Sequence, residues 1–364
     1  MKILINRSDA IGDTILTTSM AKMIKDKFPE AHVTFLVSPR CADILKQHPF
    51  IDDFRVYHRN ARFYIKIREI FRIFSQVSPN YYFFVGGGYL PNFVSWLLRI
   101  PFRGGLRSRW HTYLTLNKGV RQKRSMVTMH ELEFNLNLLA PMGIDYHFSN
   151  LEKYLPQIYL NQDETEEAFN QFKKDLQKEG FETDRKMIFI HPGMTGHTLN
   201  WSSRNYGRLI TKLEQKFPDK FLYVISHTPS DHAFLQGTKE ILSRKENQFL
   251  LKRVYYFNGQ KNGLRNYMGI LQNASLFVGP STGTTHIAAV LGVPTVTLFS
   301  PIKVQSALRW GPLSKSKEKL KILVPDVICG EVNSCALKAC PYYECMAKIE
   351  VEDVINQAIA IMDL

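Results

Sequence analysis

Short apolar runs alternate with helix-spaced stretches along most of this chain. KILIN (Lys2–Asn6) stops at the polar turn RSDAIGD, the stretch TILTTSMAKMIKDKF carries apolar residues at amphipathic helical spacing as far as Pro29, and VTFLV (Val33–Val37) reads as the next strand. The second half restarts in the same way: MIFIHPG (Met187–Gly193), a polar turn, a helix around Tyr206–Phe217 and the strand FLYVIS (Phe221–Ser226). It continues with a helix over Leu264–Gln272, the strand SLFVG (Ser275–Gly279), a hydroxyl-rich turn, a helix across Thr285–Leu291 and the strand PTVTLF (Pro294–Phe299). Strands alternating with helices predict parallel sheets covered by helices on both faces. The class expected is therefore α/β with two Rossmann-like domains.

The charged segment Asn161–Lys186 reads as a helix and polar loop at the domain boundary. This sets an N-terminal domain at residues 1–160, a C-terminal one at 161–348, and a closing amphipathic helix within 349–364. At 364 residues the chain is long enough for each domain to bury its own core. The segment most like a membrane span, YYFFVGGGYLPNFVSWLLRI (Tyr81–Ile100), is broken by three glycines and a proline, so strand, loop and helix are expected there and no transmembrane segment. The N-terminus lacks the long apolar core of a signal peptide, and five cysteines do not make a disulfide scaffold, so a cytosolic protein is expected.

Charge sharpens the picture. The formal net charge is +14, and residues 1–150 hold 21 Lys+Arg against 11 Asp+Glu, so most of the excess lies in the N-terminal half. An acidic partner follows: a phosphorylated substrate, an anionic membrane surface or nucleic acid. No nucleic-acid-binding module is legible in the sequence, which disfavours the last.

Three polar loops leave strands for helices, where ligands bind in such sheets. In GPSTGTTHIAAVLGVPTVTLF (Gly279–Phe299), residues Ser281, Thr282, Gly283, Thr284 and Thr285 bring backbone N–H groups and hydroxyls toward an anion, with His286 one residue on. The alternative is an ordinary helix cap. HPGMTGHTLNW (His191–Trp201) carries Thr195 and Gly196 and is a second candidate for the same diphosphate. Neither loop contains G-K-[ST] or G-x-G-x-x-G, so triphosphate hydrolysis and dinucleotide binding are disfavoured. RSDAIGD (Arg7–Asp13) places Asp9 and Asp13 near a helix N-terminus, either serving the helix dipole or supplying a general base.

These three loops, with MHELEFNLNLLAPMGI (Met129–Ile144), NGQKNGLRNYMGILQNASLFVG (Asn258–Gly279) and CPYYECMAKI (Cys340–Ile349), resemble the signatures of glycosyltransferase family 9, the lipopolysaccharide heptosyltransferases. The resemblance implies a GT-B fold of two Rossmann-like domains facing across a cleft, acceptor on the first and nucleotide sugar on the second, with the closing helix packed back on the first. It also implies ADP-L-glycero-D-manno-heptose as donor, an anionic glycolipid acceptor, transfer with inversion, and work at the inner face of a bacterial inner membrane. By motif position Asp13 takes the role of catalytic base, the two C-terminal loops that of diphosphate cradle, and Asp231 that of ribose holder. Two positions depart from the pattern: Leu199 stands where a basic residue is common and Ser281 where an aspartate is common. The leaving-group charge then falls to amides, hydroxyls, His286, and Arg204 or Lys303.

The acceptor is expected at Arg59, Arg62 and Lys66 on the basic, aromatic stretch YHRNARFYIKIREIFRIF (Tyr57–Phe74), read as one amphipathic helix, and at His130. No D-x-D triplet occurs, so metal independence is expected, and no cofactor. Cys329, Cys335, Cys340 and Cys345 lack the paired spacing of structural zinc sites and are expected to be buried thiols. The alternatives within this reading are another nucleotide sugar as donor, or a catalytically silent nucleotide-sugar or glycolipid scaffold.

Overall fold

The computed structural model describes residues 1–362 apart from Thr195 and His197. The chain forms two compact units, Met1–Tyr159 and Leu160–Leu364. In the first, strands β1 (Lys2–Arg7), β2 (His32–Val37), β3 (Asp53–Val56), β4 (Tyr81–Gly86), β5 (Phe102–Leu106) and β6 (Lys118–Val120) form a parallel sheet in the order β3-β2-β1-β4-β5-β6. Helices α1 (Ile11–Lys27), α2 (Ala42–Leu45), α3 (Phe63–Val77), α4 (Leu90–Leu97), α5 (Trp110–Thr115) and α6 (Glu131–Leu136) lie in and after its crossovers.

The second unit repeats the plan. Strands β7 (Lys186–Ile190), β8 (Phe221–His227), β9 (Val254–Asn258), β10 (Leu276–Pro280), β11 (Thr295–Leu298) and β12 (Leu320–Leu323) pair in parallel in the order β12-β11-β10-β7-β8-β9. Its helices are α7 (Gln162–Lys178), α8 (Ser203–Lys216), α9 (His232–Leu242), α10 (Gly263–Leu271), α11 (Gly283–Val290), α12 (Ala307–Trp310) and α13 (Val351–Ile361). Each sheet reverses its strand order once, between β1 and β4 and between β7 and β10. A doubly wound sheet opens a ligand-binding crevice at that reversal, beyond the carboxyl ends of the two strands.

The apolar runs become strands because both sheet faces are covered: Ile3, Leu4 and Ile5 of β1 and Ile188, Phe189 and Ile190 of β7 have no exposed surface. Leu4, Tyr82 and Phe84 pack against Ile70, Ile73 and Phe74 of α3 in the first unit. In the second, Tyr223 and Val278 share a core with Trp201, Tyr206 and Leu209.

Three expectations change. The first helix is not amphipathic: α1 buries residues on every side, from Thr14 and Thr17 to Met20 and Ile24, because it packs against β1, α2 and α6. The basic stretch Tyr57–Phe74 is not one helix, since α3 starts only at Phe63. The preceding turn folds back, with the His58 N–H donating to Glu69 Oε2 at 3.0 Å, so Arg59 lies outside the helix and Arg62 only caps it. The closing helix α13 has its apolar face in the core of the second unit, where Val354, Ile355 and Ala358 are buried alongside α8 and β11. Its approach is fixed by the Trp201 indole N–H, which donates to the Ile349 carbonyl at 2.8 Å.

The segment Tyr81–Ile100 forms β4, a glycine turn and α4, as its breakers require. Among the described residues no helix is long and apolar enough to cross a membrane.

Candidate functional site

In the first unit the reversal point is built around a buried arginine. Arg7 ends β1 with its side chain 4% exposed. Its Nε lies 3.0 Å from Asp9 Oδ1, Nη2 donates to Asp13 Oδ1, and Nη1 donates to the Val85 carbonyl of β4 at 3.0 Å. Glu131 of α6 lies 3.8 Å from Nη1 and is itself held by Arg124. The guanidinium thus ties the β1 turn to β4 and to the first turn of α1, where Asp13 sits.

Close approach of the two turns requires glycine: a Cβ on Gly87 (φ +104°) would stand 2.4 Å from Ser8 Oγ, and one on Gly86 2.7 Å from Asp9 Oδ2. Arg40 and Arg59 complete the rim by donating to the carbonyls of Asp9 and Ser8, at 2.9 and 3.2 Å. Arg59 therefore stands beside the Asp13 loop, as an acceptor contact there would require. Arg62 is exposed and Lys66 half-buried on the neighbouring helix.

His130 is placed otherwise than expected. It is 9% exposed, and its Nδ1 accepts the Leu132 N–H at 3.1 Å, so it caps α6. Arg7, Arg40 and Glu131 are not among the site residues expected from the sequence. Arg7 stands within the quoted turn and could have been found as a cation two and six residues before Asp9 and Asp13. No local signal marks Glu131, which arrives from α6.

In the second unit the hydroxyl-rich turn joins β10 to α11, and the helix starts two residues earlier than expected, with Thr282 as N-cap and Gly283 first. The N–H groups of Gly283, Thr284 and Thr285 have no carbonyl one turn before them, and with the helix dipole they make an electropositive end. Thr282 Oγ1 lies 2.8 Å from Thr284 Oγ1, and both side chains are half-exposed, as is Ser281. Thr285 is fully buried and its hydroxyl donates to the Pro280 carbonyl at 2.5 Å, so it braces the turn rather than offering a contact. His286 is 5% exposed in the same turn.

The β7 turn stands beside it, because β7 and β10 pair directly. Asn200 donates to the Pro192 carbonyl at 2.8 Å, and Thr198 donates to Gln305 at 2.8 Å, which ties this turn to the segment after β11. Gly196 is exposed in the left-handed region (φ +75°). Thr195 lies outside the described residues. Burial lowers the pKa of His191, and its Nδ1 lies 2.9 Å from the Ser226 carbonyl.

Asp231 is 5% exposed, and its Oδ2 accepts from both the N–H and the hydroxyl of Thr228, at 2.7 and 2.8 Å. It lies so close under Gly193 that a Cβ there would stand 2.3 Å from its carboxyl carbon. A cap of the β8 turn, rather than a group offered to a ribose, describes it.

Of the two cations considered in place of Leu199, Arg204 forms a surface pair with Glu240 at 2.9 Å. Lys303 is exposed on the segment leaving β11, the strand next to β10. Leu199 packs against the core.

The cysteines correct an expectation: Cys345 is buried, whereas Cys329, Cys335 and Cys340 are half-exposed. They lie near one another, and burial together with the other three sulfurs pushes the Cys345 thiol up. The segment that carries them has little regular structure, which leaves it too thin to cover them. Among the described residues no group of three or more His, Cys, Asp or Glu could hold a metal ion.

Comparison with known proteins agrees with this layout. The chain is 24% identical over 325 residues, 89% of each chain, to a Haemophilus influenzae protein that carries a provisional glycosyltransferase name. It is 22% identical over 293 residues, 79% of each, to lipopolysaccharide heptosyltransferase 3 of Escherichia coli. The solved structure of Escherichia coli ADP-heptose LPS heptosyltransferase II superposes with a TM-score of 0.76 at 20% identity, over 99% of this chain and 98% of that one, and so shares the GT-B fold. The family description "Glycosyltransferase family 9 (heptosyltransferase)" matches residues 92–326, well over half of the sequence, and the chain belongs to that family of glycosyltransferases.

Proposed function

We propose that this glycosyltransferase transfers a heptose from ADP-L-glycero-D-manno-heptose to an anionic lipopolysaccharide core acceptor, with inversion and with Asp13 as general base. The observation that carries the reading is the content of the two reversal points: an arginine-held carboxylate in one unit, a hydroxyl-rich helix N-terminus in the other. Each stands where its fold places a ligand. The names of the relatives supply the sugar and the acceptor class.

An acceptor hydroxyl loses its proton to Asp13 as its oxygen attacks the anomeric carbon. The bond from that carbon to the diphosphate oxygen breaks, and the departing ADP carries the charge. Because Arg7 engages Oδ1, Oδ2 is the oxygen that takes up the proton. The first-turn amides of α11, with Ser281, Thr282 and Thr284, receive the growing phosphate charge, and an oriented array of this kind supplies much of the barrier reduction in such reactions. Lys303 is the side chain best placed to take over the cation's part at Leu199. The acceptor lies along Arg59, Arg62 and Lys66, and the enzyme works against the inner face of the inner membrane.

Leu199 and Ser281 favour one alternative, a donor other than ADP-heptose. The test is a donor screen of the purified protein against ADP-heptose and UDP-, GDP- and TDP-sugars, by thermal shift and then product mass spectrometry. A shift and a heptosylated product with ADP-heptose alone support the proposal. Turnover with another nucleotide sugar in its place overturns the donor.

A further inference from the structure

The acids and bases of this chain are distributed very unevenly. From Phe54 to His130 there are 14 Lys and Arg and a single acid, Glu69, which is paired with His58 at 2.7 Å. This segment contains α3, α4 and α5, which pack side by side in the first unit. Their outer surface is not the polar one that a monomer usually presents. Phe63 and Tyr64 in the first turn of α3 are 60% and 64% exposed, and Trp110, Tyr113 and Leu114 of α5 are 73%, 49% and 54% exposed. Tyr89, at the start of α4, is 54% exposed, and its ring meets Phe93, which in turn meets Trp110, at centroid separations of 6.0 Å each. The aromatic surface therefore runs without a break from α4 to α5.

Contiguous exposed apolar surface marks a place where something else binds. We propose that the outer surface of α3, α4 and α5 is a docking face for an anionic lipid bilayer, with the Trp, Tyr, Phe and Leu side chains seated at headgroup level and the surrounding arginines on the phosphates. Tyr and Trp suit that depth because each has an apolar body and a polar tip, and arginine stems lie along apolar surface while the head stays with the phosphates. Charge complementarity chooses the occupant: Arg62, Arg68, Arg72, Arg99 and Arg109 are exposed on or next to these helices, whose single acid is Glu69, and so select a polyanionic surface, while the aliphatic and tryptophan exposure selects a bilayer over nucleic acid. The first turns of α3, α4 and α5 follow the carboxyl ends of β3, β4 and β5, the same sheet edge that carries the Asp13 turn. A lipid-borne acceptor would thus reach that turn without leaving the bilayer. The inference stands on charge and exposure and holds whichever sugar is transferred.

The test is co-sedimentation of the full chain with vesicles of phosphatidylglycerol and phosphatidylethanolamine, against vesicles of phosphatidylcholine alone, without donor or acceptor. Binding to the anionic vesicles with a blue shift of tryptophan emission is expected, and the shift should shrink in Trp110→Phe to the part due to Trp96, which is 44% exposed on α4. The variant Trp110→Ser/Tyr113→Ser/Leu114→Ser should bind at least tenfold more weakly. Arg99→Gln/Arg109→Gln should bind roughly 30-fold more weakly at low salt, at about fivefold per arginine, with the deficit shrinking as salt rises. Both variants should keep the wild-type melting temperature and ADP affinity, which separates failure of this proposal from failure of the donor reading. Unaltered anionic-vesicle binding in both folded variants overturns the proposal, as does equal binding to phosphatidylcholine. Preferential binding to duplex DNA that the aromatic variant leaves intact would assign the charge to nucleic acid instead.

Discussion

Replacing Arg7 with Met should damage stability and catalysis together. The guanidinium is 4% exposed and is shared among Asp9, Asp13 and Glu131. Removal of one partner from a buried ion pair costs about 3–5 kcal/mol, because the other charge is left behind in a poor solvent. Asp9 and Asp13 are 28% and 21% exposed and so retain some hydration, while Glu131 keeps Arg124. The low end, about 3 kcal/mol, applies, which for a unit of this size is a fall in melting temperature of roughly 6–12 °C. Calorimetry reads that term. Steady-state kinetics reads the other: Asp13 loses the contact that fixes it, and a misplacement of about 1 Å costs on the order of 10²-fold in rate. Arg7→Lys keeps the charge without the fork and should recover stability better than rate. A loss of stability below about 0.5 kcal/mol in Arg7→Met, with turnover within a few-fold of wild type, would refute this reasoning.

Two further outcomes separate binding from bracing. Thr284→Val should weaken ADP by roughly 1.5–3 kcal/mol in calorimetry, with little change in melting temperature, whereas Thr285→Val should cost about 1 kcal/mol of stability through its lost bond to Pro280 and spare the affinity. His48 is buried, accepts the Phe50 N–H on Nδ1 at 3.4 Å, and has its pKa lowered to about 4 from 6.5 by burial. The unfolded chain therefore binds the extra proton between those two values, so stability is full at pH 7 and falls by about 2 kcal/mol by pH 5. Denaturant titrations should show His48→Gln free of that part of the slope.

The fold was legible because buried parallel strands need unbroken apolar runs, as in KILIN and SLFVG, and because glycine and proline interrupt Tyr81–Ile100. The four-residue strands β3 and β12 and the three-residue β6 gave no such signal, since their residues are half-buried or exposed at sheet edges. Within the site, the turns at β1, β7 and β10 were readable as polar loops, but the job of each side chain was not. Thr285 and Asp231 have the right chemistry for a ligand and are turned to backbone partners instead. Glu131 reaches Arg7 from 124 positions away, and no spacing rule reports a contact of that kind. The basic stretch Tyr57–Phe74 misled for a local reason: Arg59 and Arg62 fit a helical face in sequence, but the turn at Asn60 ends before the helix begins.

The central claim is that Asp13 accepts the proton in sugar transfer. Asp13→Asn keeps the shape and an oxygen for Arg7 but cannot take up the proton, so the decisive measurement is its turnover beside its ADP affinity and melting temperature. The account predicts a loss of roughly 10²–10⁴-fold in kcat with ADP binding close to wild type and a smaller loss of stability than in Arg7→Met, because Asp9 and Glu131 still hold the guanidinium. Turnover near the wild-type rate would contradict it.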